Sequence, residues 1–269
     1  MKQNFILSLL TILILFLSML IGPNKKKADI SAYRDQFLQT NKEFSYITYE
    51  QLDLLKRNGA TGKGIKIAMI DSPIQTNEIR IEKTVPITKD ETFQTTDLTH
   101  GTLSALILKK DIAPDVLLYS IESLNSMGIG TYEDIIKGIE WCIEEDMDII
   151  TFSLTGYEYS KELHQSIQKA KQHNILLIAA AGNNSSSLPL YPAAFEEVIS
   201  VGALDVNDHI APYSNFGAYV DIYALGDVER YGVNGTSFSV PVIAGYISLL
   251  KETLALSNNE IFTLFTHLP

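Results

Sequence analysis

The sequence predicts an α/β fold: a three-layer, doubly wound, mostly parallel sheet with helices on both faces. Three observations predict it. Short apolar runs alternate with longer segments of helical period from about Ser45 onward. This strand–helix alternation is the pattern of a parallel sheet covered on both sides. Composition can fill such a core, since 46% of the 269 residues are hydrophobic, a globular content. There is no internal repeat and no low-complexity block.

The elements follow in order. Residues 65–70, IKIAMI, form a buried strand that delivers Asp71 at its end. Residues 100–110 have helical period, and 116–122, VLLYSIE, are the next strand. Residues 131–146 form a helix with Thr131 as N-cap and Asp134 in its first turn. A strand at 147–154 leads to an amphipathic helix at 160–174. Strands follow at 175–181, 198–204 and 219–225. A long apolar helix covers 237–256, with Pro241 tolerated in its first turn. Ser257 and Glu260 form a capping box for a last short helix.

Charge and cysteine content exclude some functions. The formal net charge is −11, from 32 acidic and 21 basic residues. Nucleic acid is an unsuitable partner, because phosphates demand a basic surface. The single cysteine, Cys142, cannot form an intrachain disulfide and sits at core-like helical spacing. A nucleotide-binding α/β domain is disfavoured, because DSPIQ and not a glycine-rich loop follows the first strand.

Residues 1–22 are set apart. Lys2 is followed by an uncharged apolar run from Phe5 to Gly22, then by Lys25, Lys26 and Lys27. The run is near the ~20 residues that span a bilayer as a helix. Secretory signal and uncleaved anchor are the two readings. The length of the run and the lack of a small-x-small cleavage site favour an anchor. Residues 23–44 read as a polar tether, and 45–269 as the globular domain.

Sheets of this kind place their sites at strand carboxyl ends. Four stretches with chemical potential fall at strand ends or helix starts: Asp71, THGT at 99–102, AAAGNNSSS at 179–187, and NGTSFSVP at 234–241. Taken singly, Ser237 reads as a helix cap, His100 as a surface or satisfied core histidine and Asn183 as a turn residue. Taken together, and in the order Asp, His, Asn, Ser, they resemble the motifs of the subtilisin-like serine proteases, the subtilases. The resemblance runs from about residue 45 to 265. It extends through the stretch from IAPDVLLYSIE to MDIITFSL, and through YPAAFEEVISVGALD.

The resemblance implies the subtilisin-like fold and serine endopeptidase activity on a peptide or protein substrate, without metal or organic cofactor. It implies Ser237 as nucleophile, His100 as its general base and Asp71 as the group orienting His100. It implies Asn183 as a side-chain donor to the oxyanion, beside the Ser237 backbone N–H. Ser153, Leu154, Thr155 and Gly156 match the strand that pairs with extended substrate and walls the first specificity pocket. Leu190 falls on the floor of that pocket, where a leucine makes it shallow. A monomer is expected, with the catalytic domain extracellular, either anchored at the cell membrane or secreted. By analogy with compact family members, the role is the processing of a secreted peptide or protein.

Several positions depart from the family pattern. Pro73 replaces a glycine after Asp71-Ser72, fixing φ and removing a donor beside the orienting carboxylate. This raises the alternative of a pseudoprotease that binds extended peptides without cutting them. Leu103 and Val242 replace histidines common in the family and are read as repacking. Only Lys109, Lys110 and Asp111 separate the His100 helix from IAP, where the family's high-affinity calcium loop usually lies, so that site is expected to be absent. Residues 23–44 are too few for the family's usual folding pro-domain.

Overall fold

The computed structural model describes residues 46–47, 49–88 and 98–266. The apolar run at 5–22 and the tether at 23–44 lie outside the described residues. Among the described residues, eight strands form one sheet: β1 (Tyr46–Ile47), β2 (Lys66–Asp71), β3 (Lys83–Pro86), β4 (Leu117–Glu122), β5 (Ile149–Phe152), β6 (Leu176–Ala180), β7 (Ile199–Leu204) and β8 (Ile222–Leu225). Their order is β1-β8-β7-β6-β5-β2-β4-β3, and every pair is parallel. A separate antiparallel ribbon joins β9 (Asp227–Val228) to β10 (Val233–Asn234).

Among the described residues, the α-helices are α1 (Tyr49–Arg57), α2 (His100–Leu106), α3 (Tyr132–Glu144), α4 (Lys161–Gln172), α5 (Thr236–Leu254) and α6 (Asn258–Phe265). Successive strand residues face opposite ways. Thus Ile67 and Met69 of β2 join the core beneath α5, while Ala68 and Ile70 join the core beneath α3 and α4. That divides the chain into three layers, as its alternating pattern predicts.

The caps explain where helices begin. Thr131 accepts the Asp134 N–H at the start of α3, and Ser257 with Glu260 forms the expected capping box on α6. Ser160 caps α4 through the Leu163 N–H. Glu252 of α5 accepts the N–H groups of Thr61 and Gly62, both at 2.7 Å, and of Lys63 at 3.2 Å. One carboxylate thereby fixes the turn that feeds β2.

Several boundaries differ from the sequence reading. α2 ends at Leu106 and continues as a π-helical turn, Ile107–Ile112. Lys109, Lys110 and Asp111 belong to that turn, so no loop projects there. β5 stops at Phe152, leaving Ser153–Gly156 outside the strand. β8 starts only at Ile222, because Tyr219 and Val220 close a turn in which Val220 N–H reaches Gly217 O. Pro241 lies in the second turn of α5, which opens at Thr236. Leu103 packs against the core and Val242 is buried within it, so both act as packing residues.

β2 is flanked by β4 and β5, the point where the winding of the sheet reverses. Such a switch point opens a crevice at the strand carboxyl ends. Asp71 stands at its edge. Among the described residues, no helix is long and apolar enough to cross a membrane.

Candidate active site

The site begins with the carboxylate at the end of β2. Asp71 is 1% exposed, so its charge needs local partners. The Ser72 N–H donates to Asp71 Oδ1 at 2.6 Å, and the Ser72 hydroxyl does so at 3.2 Å. His100 Nδ1 lies 2.8 Å from Asp71 Oδ1 and 2.9 Å from Oδ2. Asp71 and His100 are thus brought together from β2 and the first residue of α2.

Gly101 makes this approach feasible. A Cβ on Gly101 would lie 2.1 Å from the carbonyl oxygen of Ser72, so only glycine lets α2 sit this close to the β2 turn. The Gly101 N–H donates to Ser72 Oγ at 2.9 Å. Thr99 caps α2 through the Thr102 N–H at 3.2 Å and donates its hydroxyl to Pro73 O. Thr102 Oγ1 accepts the Gln75 N–H at 2.7 Å. Pro73 therefore sits in a turn held on both sides by threonines, and the Asp71 carboxylate still faces His100.

The remaining residues arrive from the sheet's other half. Ser237 follows Thr236 at the start of α5, where backbone N–H groups have no intrahelical acceptor. His100 lies with its ring 5.1 Å from that of Phe238, the residue next to Ser237. Among the described hydrogen bonds, none joins His100 to the Ser237 side chain. Such contacts are often loose without substrate.

Asn183 follows β6 and is clamped at its carbonyl end. Its Oδ1 accepts the Thr236 N–H at 2.8 Å and the Thr236 hydroxyl at 3.0 Å. The Nδ2 end is left to donate. Gly235, with φ at +146°, separates the two groups: a Cβ there would lie 3.3 Å from both Asn183 Nδ2 and Ser237 Oγ. Ser237 Oγ and the Asn183 amide therefore border one small space.

Ser153 donates its hydroxyl to Ser237 O at 2.9 Å. Pro241, four residues after Ser237, has no N–H to offer that carbonyl. The Ser153 hydroxyl fills the vacancy and ties the segment after β5 to the start of α5. Leu154 and Thr155 continue this segment, and Gly156 exchanges two backbone bonds with Tyr191, at 2.7 and 2.9 Å. Leu190 is 3% exposed, with its Cδ1 turned toward Gly182.

Burial pushes the His100 imidazole down, but the charge and hydrogen bond of Asp71 outweigh it, and its pKa is raised overall. The sequence reading singled out neither Thr236, Thr99, Ser72 nor Phe238. All four lie in or beside the quoted motifs, so adjacency was the available signal. Tyr213, whose hydroxyl accepts the Gly235 N–H and donates to Asp227, carries no local signal.

A model described as the subtilase family matches residues 62–267. The chain belongs to the subtilase family. Its relatives include subtilisin DY of Bacillus licheniformis, 34% identical over 221 residues covering 74% of this chain and 80% of the relative. Subtilisin BL of Lederbergia lenta is 32% identical, covering 77% and 83%. The alkaline protease of Alkalihalobacillus alcalophilus is 31% identical, and this subtilase spans 59% of its length. A solved cold-adapted subtilisin-like serine proteinase superposes with a TM-score of 0.67 at 25% identity, covering 76% of this chain and 81% of that one. The fold is also that of the prenylagaramide maturation protease PagA, at a TM-score of 0.65 and 23% identity over 76% and 80%. This subtilase is accordingly a serine endopeptidase, a hydrolase of peptide bonds.

Proposed function

We propose that Ser237, His100 and Asp71 form the catalytic triad and that the enzyme processes a secreted peptide or protein. Ser237 attacks the scissile carbonyl while His100 takes its proton and later delivers it to the leaving amine. Asp71 fixes the imidazole tautomer and stabilises the imidazolium. The Asn183 amide and the Ser237 N–H meet the developing oxyanion, where one such donor is worth about 3 kcal/mol. Extended substrate lies along Ser153–Gly156, and Leu190 shapes the first pocket. The enzyme acts as a monomer without a metal or organic cofactor.

The observation that carries this reading is the two-oxygen contact of Asp71 with His100 Nδ1, at 2.8 and 2.9 Å. A carboxylate pointing elsewhere would have favoured binding without cleavage. A dedicated processing role is supported by the compact course from α2 into β4, which carries no projecting loop. The apolar run at 5–22 is proposed to hold the domain at the outer face of the cell membrane. Release of the full chain into the soluble fraction after cell lysis would remove that part.

The test of the triad is covalent labelling. A fluorophosphonate should label the full-length protein one to one, and Ser237→Ala should abolish labelling while circular dichroism stays unchanged. An unlabelled, folded wild type would overturn the catalytic reading.

A further inference from the structure

Outside the triad, one cluster is more highly organised than packing alone requires. It lies beyond Gly156, where the segment leaving Ser153 turns into α4. The Tyr159 ring meets Tyr191 edge-on at 5.7 Å and Phe195 at 6.0 Å. Its hydroxyl is 3.2 Å from His164 Nδ1. His164 in turn stacks flat on Phe195, with centroids 4.3 Å apart and planes at 8°. Its Nε2 lies 3.1 Å from Glu197 Oε2.

Both ring nitrogens of His164 therefore have partners, and one ring face is covered. The imidazole is held in position and orientation. It joins two segments that are far apart in sequence: Tyr159 belongs to the run from Ser153, while Glu197 and Phe195 belong to the run from Leu190. Nearer the site, the same two runs are joined by the Gly156–Tyr191 bonds. Tyr159 itself is 55% exposed, so burial alone does not hold it. The hydrogen bond to His164 and the ring contacts do.

We infer that the Tyr159–His164–Glu197 chain is a positioning device that sets the spacing between the Ser153–Gly156 wall and the Leu190 floor. It thereby selects which substrate side chain fits beside the scissile bond. This rests on the proposed placement of the substrate along Ser153–Gly156. None of the three residues touches the reacting atoms. Loosening the clamp lets the two walls drift apart, which relaxes discrimination without disarming the nucleophile.

The test compares the full-length wild type with Tyr159→Phe, which removes one hydroxyl and keeps the ring. His164→Phe, which keeps the stack and removes both polar contacts, is the second variant. Two probes are used on each: a simple fluorophosphonate, and peptidyl phosphonates of one sequence ending in Ala, Leu or Phe at the reactive phosphorus. The expected result is an unchanged rate with the simple probe. The ratio of rates among the three peptidyl probes should change about tenfold, the lower end of what a one-methylene difference in pocket fit produces. On peptide anilides of the same sequences, KM should move and kcat should not. An unchanged ratio in a variant that labels normally with the simple probe overturns the inference, as does an equal loss for all probes. If the simple probe fails on wild type, the catalytic reading falls first and this one with it.

Discussion

At the residue scale, His100 and Asp221 titrate for different reasons. In the proposed triad, His100 must be neutral to accept the Ser237 proton. Burial opposes the charged imidazole, yet Asp71 more than compensates and raises its pKa. The acid limb of kcat/KM should then lie above the ordinary histidine value of about 6.5, and activity should rise with pH through it. A pH–rate profile with a midpoint below 6 would contradict this. Asp221 differs: burial raises its carboxyl to about 7, opposed only by the Ser200 N–H that donates to it at 2.8 Å. The folded state favours the protonated form. That contribution is fully present below the ordinary carboxyl value and is lost as pH rises through about 7. Asp221→Asn keeps an acceptor for Ser200 and removes the charge. It should raise the thermal midpoint at pH 8 by about 2–4 °C, the shift that ~1 kcal/mol gives in a domain of this size. At pH 4 the two proteins should melt together.

At the element scale, the bond from Ser153 to the Ser237 carbonyl couples the end of β5 to the start of α5. Ser153→Ala would leave that carbonyl with neither the helical donor that Pro241 lacks nor a side-chain substitute. A cost of about 1 kcal/mol follows, as for a lost hydrogen bond at a part-buried acceptor. Urea denaturation at unchanged m-value measures it, and an unshifted midpoint would remove the coupling role. The sequence made much of this scale legible. The alternation of apolar strands and helices, the Thr131 cap and the Ser257 box all reappear as read, because they rest on local patterns. The short β1 and β3 and the ribbon of β9 and β10 were invisible, because two to four residues carry too little periodicity. The end of β5 was misplaced for a related reason: Ser153 and Leu154 look strand-like, but the bond from Ser153 to Ser237 and the pairing of Gly156 with Tyr191 take the segment off the sheet. Asp71, His100, Asn183 and Ser237 were legible only through their motifs. What the motifs could not reveal is how Thr236 orients Asn183, or how His164 ties Tyr159 to Glu197, since those contacts span distances along the chain that no local pattern encodes.

At the scale of the whole molecule, the π-helical turn after α2 is held by the protein's own cations. Lys110 pairs with Glu78, Arg230 with Asp111 at 2.6 Å, and the Lys56 ammonium donates to Asp111 O at 2.7 Å. Each exposed pair is worth little alone. Together they place ammonium and guanidinium groups against the carboxylates of this corner. The thermal midpoint should therefore be the same with and without a strong chelator. A fall of several degrees would reveal a structural ion.

The burial of α5 has a consequence for how the molecule opens. From Phe238 to Leu250 every residue of this helix is buried, and it packs on the central strands of the sheet. Local fluctuations that expose a loop cannot expose this helix. The amides of this buried run should exchange with solvent only when the whole domain comes apart, whereas loops such as the one bearing Leu188 should open far more cheaply. Ser237, the proposed nucleophile, thus stands directly before the segment expected to exchange most slowly. Its alignment persists for as long as the domain remains folded.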